Sequence, residues 1–369
     1  MNLLFNYKTL YIIIVNSKIY FKIFLYFYFR ERFCMTDNIK SKIGLGPMSP
    51  EIIEAIIKGS EILRKPLMLI STQNQIDWNG GYVNKWNTKN YVAFIKQLKK
   101  KYKNSSIYLC RDHCGPFFKT ESIDEVYKTI CDDIQNGFDL IHVDFSKFSK
   151  DKKEVLEETK KAVKWILKEN SLTSVEIGTE ENVGMFKENI KEIEKEFNYL
   201  SEVVIPEFYV VQTGSLVREI NQYGGFNKEF VKLVHEFLSK NGVKLKEHNS
   251  DYLNLDQISE RKHFIDAMNI APQLGVLQTM TVLNEALVYG VDIRPYLQRS
   301  FESNKWAKWM QDNTGDNKML CSIIAGHYNF TSDEYKRLVN QLENYTDINN
   351  TIINEIISLV KYYSDAFCF

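Results

Sequence analysis

Residues 107–116 read Ile107-Tyr-Leu-Cys-Arg-Asp-His-Cys-Gly-Pro. An apolar run opens the stretch and a cluster of ionisable residues closes it. Seven other stretches repeat the plan: Ile43-Gly-Leu-Gly-Pro-Met, Pro66-Leu-Met-Leu-Ile-Ser-Thr-Gln-Asn-Gln, Leu140-Ile-His-Val-Asp-Phe-Ser, Ser174-Val-Glu-Ile-Gly-Thr-Glu, Phe208-Tyr-Val-Val-Gln-Thr-Gly, Val243-Lys-Leu-Lys-Glu-His-Asn-Ser and Met268-Asn-Ile-Ala-Pro-Gln. Parallel strands covered by helices are nearly continuous in apolar residues. Eight such runs are the number that an α/β (β/α)8 TIM barrel needs, and in that fold the chemistry sits where the strands end.

Helix-patterned stretches separate the runs. Ser49-Pro-Glu has the cap, the first-turn proline and the acidic residue of a helix start. Amphipathic spacing continues near 88–101, 121–136, 151–169, 184–198, 226–240 and 276–290, with a short helix over 255–266. Residues 35–295 therefore read as the barrel, and 296–369 as added C-terminal helices covering a barrel face or a subunit contact in an oligomer. Residues 1–34 read separately. They are almost all Leu, Ile, Phe, Tyr, Asn and Lys, with lysines breaking any apolar span and no small-residue cleavage site. We read them as an extension upstream of a true start at Met35.

Lys+Arg and Asp+Glu each count 47 in the 369 residues, so no basic stripe points to nucleic acid. The six cysteines have no disulfide-framework spacing, which fits a reducing cytoplasm. No phosphate-cradling or dinucleotide glycine motif is present.

The candidate chemistry lies at the strand ends. His113 reads as a divalent-metal ligand, with Asp112 beside it as general acid/base and Arg111 as a substrate contact. His248, after the seventh run, reads as a second ligand, and Glu180 as the better carboxylate ligand than the deeper Glu176. Imidazole and carboxylate donors suit zinc. Ser250 and Asp251 follow His248, where barrels often bind phosphate. Gln73, Asn74 and Gln75, followed by Gly80-Gly, suit sugar hydroxyls, because amides both donate and accept. Asp144, Ser146 and Gln212 add polar groups to the same rim. His142 reads as a core histidine, and His235, His263 and His327 as structural. Lys246 remains open as a Schiff-base lysine.

Taken in order, Gln73-Asn-Gln with Gly80-Gly-Tyr, Asp112-His-x-Gly-Pro, Ile141-His-x-Asp-x-Ser, Glu176-Ile-Gly-Thr-Glu, Val211-Gln-x-Gly and Glu247-His-x-Ser-Asp-Tyr resemble the class II D-tagatose-1,6-bisphosphate aldolase non-catalytic subunit family, also labelled tagatose-6-phosphate kinase. The resemblance spans about residues 43–295. It implies a TIM barrel in carbohydrate metabolism that binds a sugar or sugar phosphate and supports a catalytic class II aldolase subunit. It also implies a distant relationship to zinc-dependent aldolases, whose Asp-His pair, Glu and His are matched by Asp112, His113, Glu180 and His248. The eighth run supplies no histidine where those enzymes have one. The alternative expectation is a stand-alone metal-dependent ketose or ketose-phosphate aldolase or C4 epimerase. Nothing in the motifs supports a kinase.

Overall fold

The computed structural model describes residues 38–179, 189–311 and 314–367. The extension 1–34 and Glu180 lie outside them. Eight parallel strands form a closed barrel: β1 (Ile43–Leu45), β2 (Leu67–Thr72), β3 (Ile107–Cys114), β4 (Leu140–Val143), β5 (Ser174–Gly178), β6 (Phe208–Val210), β7 (Lys244–Glu247) and β8 (Ala267–Ile270). Neighbours in sequence are neighbours in the barrel, and β1 closes it against β8 in the register Ile43–Met268.

The intervening helices are α1 (Pro50–Leu63), α2 (Thr88–Lys101), α3 (Ile123–Asn136), α4 (Lys152–Glu169), α5 (Ile190–Leu200), α6 (Lys228–Lys240), α7 (Leu255–Arg261) and α8 (Pro272–Tyr289). Their starts follow local chemistry. The Ser49 side chain accepts from the Ile52 N–H, and Asn87, Ser122 and Asp151 cap the next three helices in the same way. α8 starts four residues earlier than the apolar spacing predicts, because Pro272 occupies its first turn. The tail forms α9 (Arg294–Glu302), α10 (Lys318–Ala325), α11 (Asp333–Leu342) and α12 (Ile348–Phe367). After α9 a single 3-10 turn follows at Ala307–Trp309. α12 packs on α1 and α8, across the seam where the barrel closes. No helix of the described residues is long and apolar enough to cross a membrane.

Strand alternation sorts the interior. The main apolar core lies between strands and helices, with Leu69, Ile141, Val175 and Leu245 facing outward. Met68, Ile70, Cys110, Leu140, Phe208 and Ala267 plug the inside of the barrel. Above this plug the inward positions turn polar, with His142, Glu176 and Lys246 all buried.

Arg111 is on the outward set. It reaches α3 rather than the mouth: Nε and Nη2 each stand 2.6 Å from a carboxylate oxygen of Asp133, and Nη1 donates to the carbonyls of Ser71 and Ile76. Both partners of this ion pair are fully buried. The expected substrate contact is thus a strand–helix clamp. Arg111→Met leaves Asp133 buried without a counter-charge, which should cost about 3–5 kcal/mol in urea unfolding. Adding Asp133→Leu should recover most of that loss.

Candidate active site at the strand ends

Alternation alone would put Asp112 and His113 on opposite faces of β3. The strand avoids this with an irregularity. Its register against β4 shifts between Arg111 and Cys114, and His113 adopts a φ of 43°, in the left-handed region. Both side chains then line the mouth cavity of about 980 Å³.

Three histidines meet there. The His113 and His248 ring centres are 4.9 Å apart, and His142 lies 4.9 Å from the first and 5.2 Å from the second. One donor atom from each of Asp112, His113, His142 and His248 falls within 4.8 Å of the others. His142, expected to be a plain core residue, is buried but belongs to this cluster. It brings a third imidazole to the mouth, to which the eighth strand contributes none.

The carboxylates around the cluster fix its protons. Asp144 Oδ2 stands 2.7 Å from His113 Nδ1 and 2.9 Å from the Thr179 hydroxyl. Glu176 Oε1 stands 3.0 Å from His248 Nε2, and its Oε2 accepts from Lys246 Nζ at 2.6 Å. An ionised carboxylate only accepts, so each of these ring nitrogens carries the hydrogen. The opposite nitrogens, His113 Nε2 and His248 Nδ1, then present lone pairs to each other at 3.2 Å. Ligands about 2.0–2.2 Å from one tetrahedral ion stand about 3.3–3.6 Å apart. Histidines backed by carboxylates in this manner are the usual preparation for metal binding.

Asp112 completes the donor set. Its Oδ1 is buried, has no hydrogen-bond partner, and faces His142 Nδ1 at 3.6 Å and His248 Nε2 at 3.9 Å. An orphaned carboxylate oxygen is costly without a positive partner. The residues present therefore fit a divalent cation.

Titration follows from the same contacts. Burial acts to raise Asp112, but His113, His248 and His142 hold it well below the usual carboxylate range. Burial likewise opposes ionisation of Glu176, yet Lys246, His142 and His248 bring it to about 2. Burial lowers His248 to about 4, against the pull of Asp112 and Glu176, so the ring is neutral at pH 7. His142 goes the other way. Burial would lower it, but Glu176, Asp112 and Asp144 outweigh that and raise it to about 9. Its Nε2 stands 2.8 Å from the Gly178 carbonyl, and its Nδ1 can accept the His113 N–H only when neutral. The cluster thus draws in one positive charge, and a cation and a proton would compete for it.

The other sequence candidates divide. Asn74 and Gln75 line the cavity, Asn74 donating to the Phe118 carbonyl and Gln75 capping the Thr72 N–H. The turn after them needs its glycines: Gly80 has a φ of 100°, and a Cβ on Gly81 would lie 2.0 Å from the Gln75 carbonyl oxygen. Gln73 is buried against Thr129 of α3 instead. Asp144 supports His113, as above, and accepts the Ser146 N–H; Gln212 is half-buried. Neither Ser146 nor Gln212 lines the cavity. Lys246 is fully buried in its ion pair with Glu176, which leaves no free amine for a Schiff base.

Ser250 and Asp251 are buried as well. The Asp251 carboxylate accepts the Ala271 and Gln273 N–H groups at 3.0 and 2.8 Å. The chain's own carboxylate thus occupies the helix start where a phosphate was expected. The rim also holds Lys305, Lys308 and Trp309 after α9, which the sequence reading passed over, and His327 after α10, which it took as structural. Their helical surroundings gave no periodic signal that they would reach the mouth.

Comparison with known proteins supports the family likeness read from the motifs. Residues 41–167 match the family described as D-tagatose-1,6-bisphosphate aldolase subunit GatZ/KbaZ-like. No curated protein matches the chain. Among solved structures, a probable tagatose 6 phosphate kinase from Sinorhizobium meliloti 1021 is similar with a TM-score of 0.73 at 15% identity, over 88% of this chain and 99% of that one. A fructose-bisphosphate aldolase from Campylobacter jejuni gives 0.57 at 12%, over 89% and 90%. The fructuronate-tagaturonate epimerase UxaE from Cohnella laeviribosi gives 0.55 at 9%, over 89% and 81%. At these identities the likeness is one of fold.

Asp251 makes the local electrostatics testable. Burial lifts its carboxyl to about 7, although the two N–H groups favour the charge. An unfolded Asp titrates near ~3.9, so the folded chain holds an extra proton between these values. Stability from this group is present at low pH and is lost as pH rises through about 7. Asp251→Asn keeps an acceptor and removes the charge. The variant should lose less stability than the parent between pH 5 and pH 8 in urea unfolding; equal losses would contradict the assignment.

Proposed function

We propose that the barrel mouth is a divalent-metal site for aldol-type chemistry on a ketose or ketose phosphate, giving cleavage or C4 epimerisation in the cytoplasm. One observation carries the reading: the lone pairs of His113 and His248 converge at 3.2 Å, in a cluster with an Asp112 oxygen that has no hydrogen-bond partner. Zinc is the ion these donors suit best. His113 and His248 would hold it, with Asp112 Oδ1 facing the same space; Glu180 keeps its place as a candidate ligand from the sequence. When bound, the ion would polarise the substrate carbonyl.

The chain's own groups supply the rest. Asp112, ionised and lining the cavity, takes the proton from the C4 hydroxyl. The C3–C4 bond breaks, its electron pair moves onto the C2–C3 carbonyl unit, and C4 departs from C3 as the carbonyl carbon of an aldehyde. Protonation at C3 completes cleavage. Re-addition of C3 to the other face of the aldehyde, with the proton returned to the new hydroxyl, inverts C4 instead. Asp144 and Glu176 hold the two imidazoles in their tautomers throughout. Asn74 and Gln75, which line the cavity, would receive sugar hydroxyls.

The matched family description, an aldolase subunit, favours a second reading in which the same mouth binds sugar phosphate in support of a catalytic class II aldolase partner. An oligomer of this chain fits either reading.

Purified protein, metal-analysed and incubated with ketose phosphates with and without a class II aldolase, separates the two. Stoichiometric zinc with turnover by the chain alone supports the first reading, and turnover only on mixing supports the second. His113→Ala and His248→Ala should lose the metal. Asp112→Asn should lower kcat by about 10²–10⁴-fold. A metal-free chain whose His113→Ala variant keeps full activity would overturn the metal reading.

A further inference from the structure

Where would the far end of a charged substrate go? In barrels the loops after the seventh and eighth strands often hold phosphate. Here the Asp251 carboxyl group already takes the two N–H groups that a phosphate would use. The cavity's positive charge comes from other segments of the chain. Lys305 and Lys308 come from the segment after α9, and Lys147 from the loop after β4. Among the described residues none of the three forms an ion pair, and Asp112 is the sole acidic residue of the cavity lining. Lys147 Nζ sits 4.2 Å over the Phe118 ring, which stacks on His113 at 5.1 Å; Lys308 Nζ sits 4.6 Å over Trp309.

His327 is the independent sign of a ligand. It lines the same cavity with 1% of its surface exposed, and neither ring nitrogen has a hydrogen-bond partner. A buried polar group left so is destabilising, and a bound acceptor or donor would relieve it. Its position is enforced. A Cβ on Gly275 of α8 would lie 2.5 Å from the His327 Cβ, and the Tyr328 ring lies 4.0 Å from its own. Burial, with the nearby Lys308 charge, lowers the imidazole to about 3. It is therefore neutral at pH 7, with one N–H to donate.

The geometry points to an anion subsite on the C-terminal wall of the mouth, in which Lys305, Lys308 and His327 bind the phosphate or carboxylate at the end of the substrate remote from the histidine cluster. The assignment rests on the mouth being the substrate site, but it requires neither metal nor turnover. It makes the tail part of the site, and it makes an acidic sugar derivative, rather than a neutral sugar, the substrate class.

The test is equilibrium binding by titration calorimetry on the full chain, stripped of metal. The probes are inorganic phosphate, a ketohexose 6-phosphate and a ketohexuronate. Wild type should bind at least one of these anions. Lys305→Ala/Lys308→Ala should weaken that binding at least tenfold, and His327→Ala should weaken it further than His327→Gln, which can still donate. Loss confined to the phosphate probes identifies a phosphate site; loss confined to the uronate identifies a carboxylate site. Wild type that binds none of the three, or a double lysine variant with unchanged affinity, overturns the subsite. A chain that shows the lysine-dependent binding, yet as purified holds no metal and turns over no ketose phosphate, keeps the subsite and overturns the catalytic reading alone.

Discussion

A carboxylate at the centre of a closed barrel has no water to solvate it, so its partners decide what the interior can be. Glu176 is that carboxylate. Lys246 Nζ holds one oxygen at 2.6 Å and His248 Nε2 the other at 3.0 Å, with His142 Nδ1 at 3.6 Å. The group ties β5 to β7 and β4 above an apolar plug and turns the lone pair of His248 toward the mouth. Breaking a buried pair of this kind by removing one partner costs about 3–5 kcal/mol. The pairing thus fixes barrel and site together: the same bond that keeps Glu176 ionised sets the tautomer of His248.

Asp144 does for His113 what Glu176 does for His248, from the neighbouring strand. The two imidazoles come from strands remote in sequence, yet each is oriented by a carboxylate one or two strands away. This is preparation for a positive charge. Without a cation, the carboxylates favour a proton on His142, and Asp112 keeps one oxygen unsatisfied. A site that stores such unsatisfied charge differs from a folded core, where buried polar groups find their partners.

The barrel was legible because period-two alternation and continuous apolar runs survive in all eight strands; even the short β1 and β6 fall within the expected stretches. Asp112, His113 and His248 were legible because strand ends gather at one mouth. What misled was depth and backbone irregularity. His142 follows the inward alternation of β4, but nothing in a single strand tells how far its neighbours stop below it. Arg111 and His113 share a face by alternation, and only the kink at His113 separates them. Glu176, set below Glu180 as a ligand, holds His248 and Lys246; Glu180 lies outside the described residues. His327 and the tail lysines sit in helical surroundings where sequence spacing carries no information about the mouth.

The central claim is that His113 Nε2 and His248 Nδ1 are prepared lone pairs for one cation. Anomalous diffraction from crystals grown with zinc, collected on either side of its absorption edge, tests it most directly. The account predicts one strong peak about 2.0–2.2 Å from both nitrogens. Density showing the two imidazoles hydrogen-bonded to each other or turned apart, with the zinc elsewhere or absent, would contradict it.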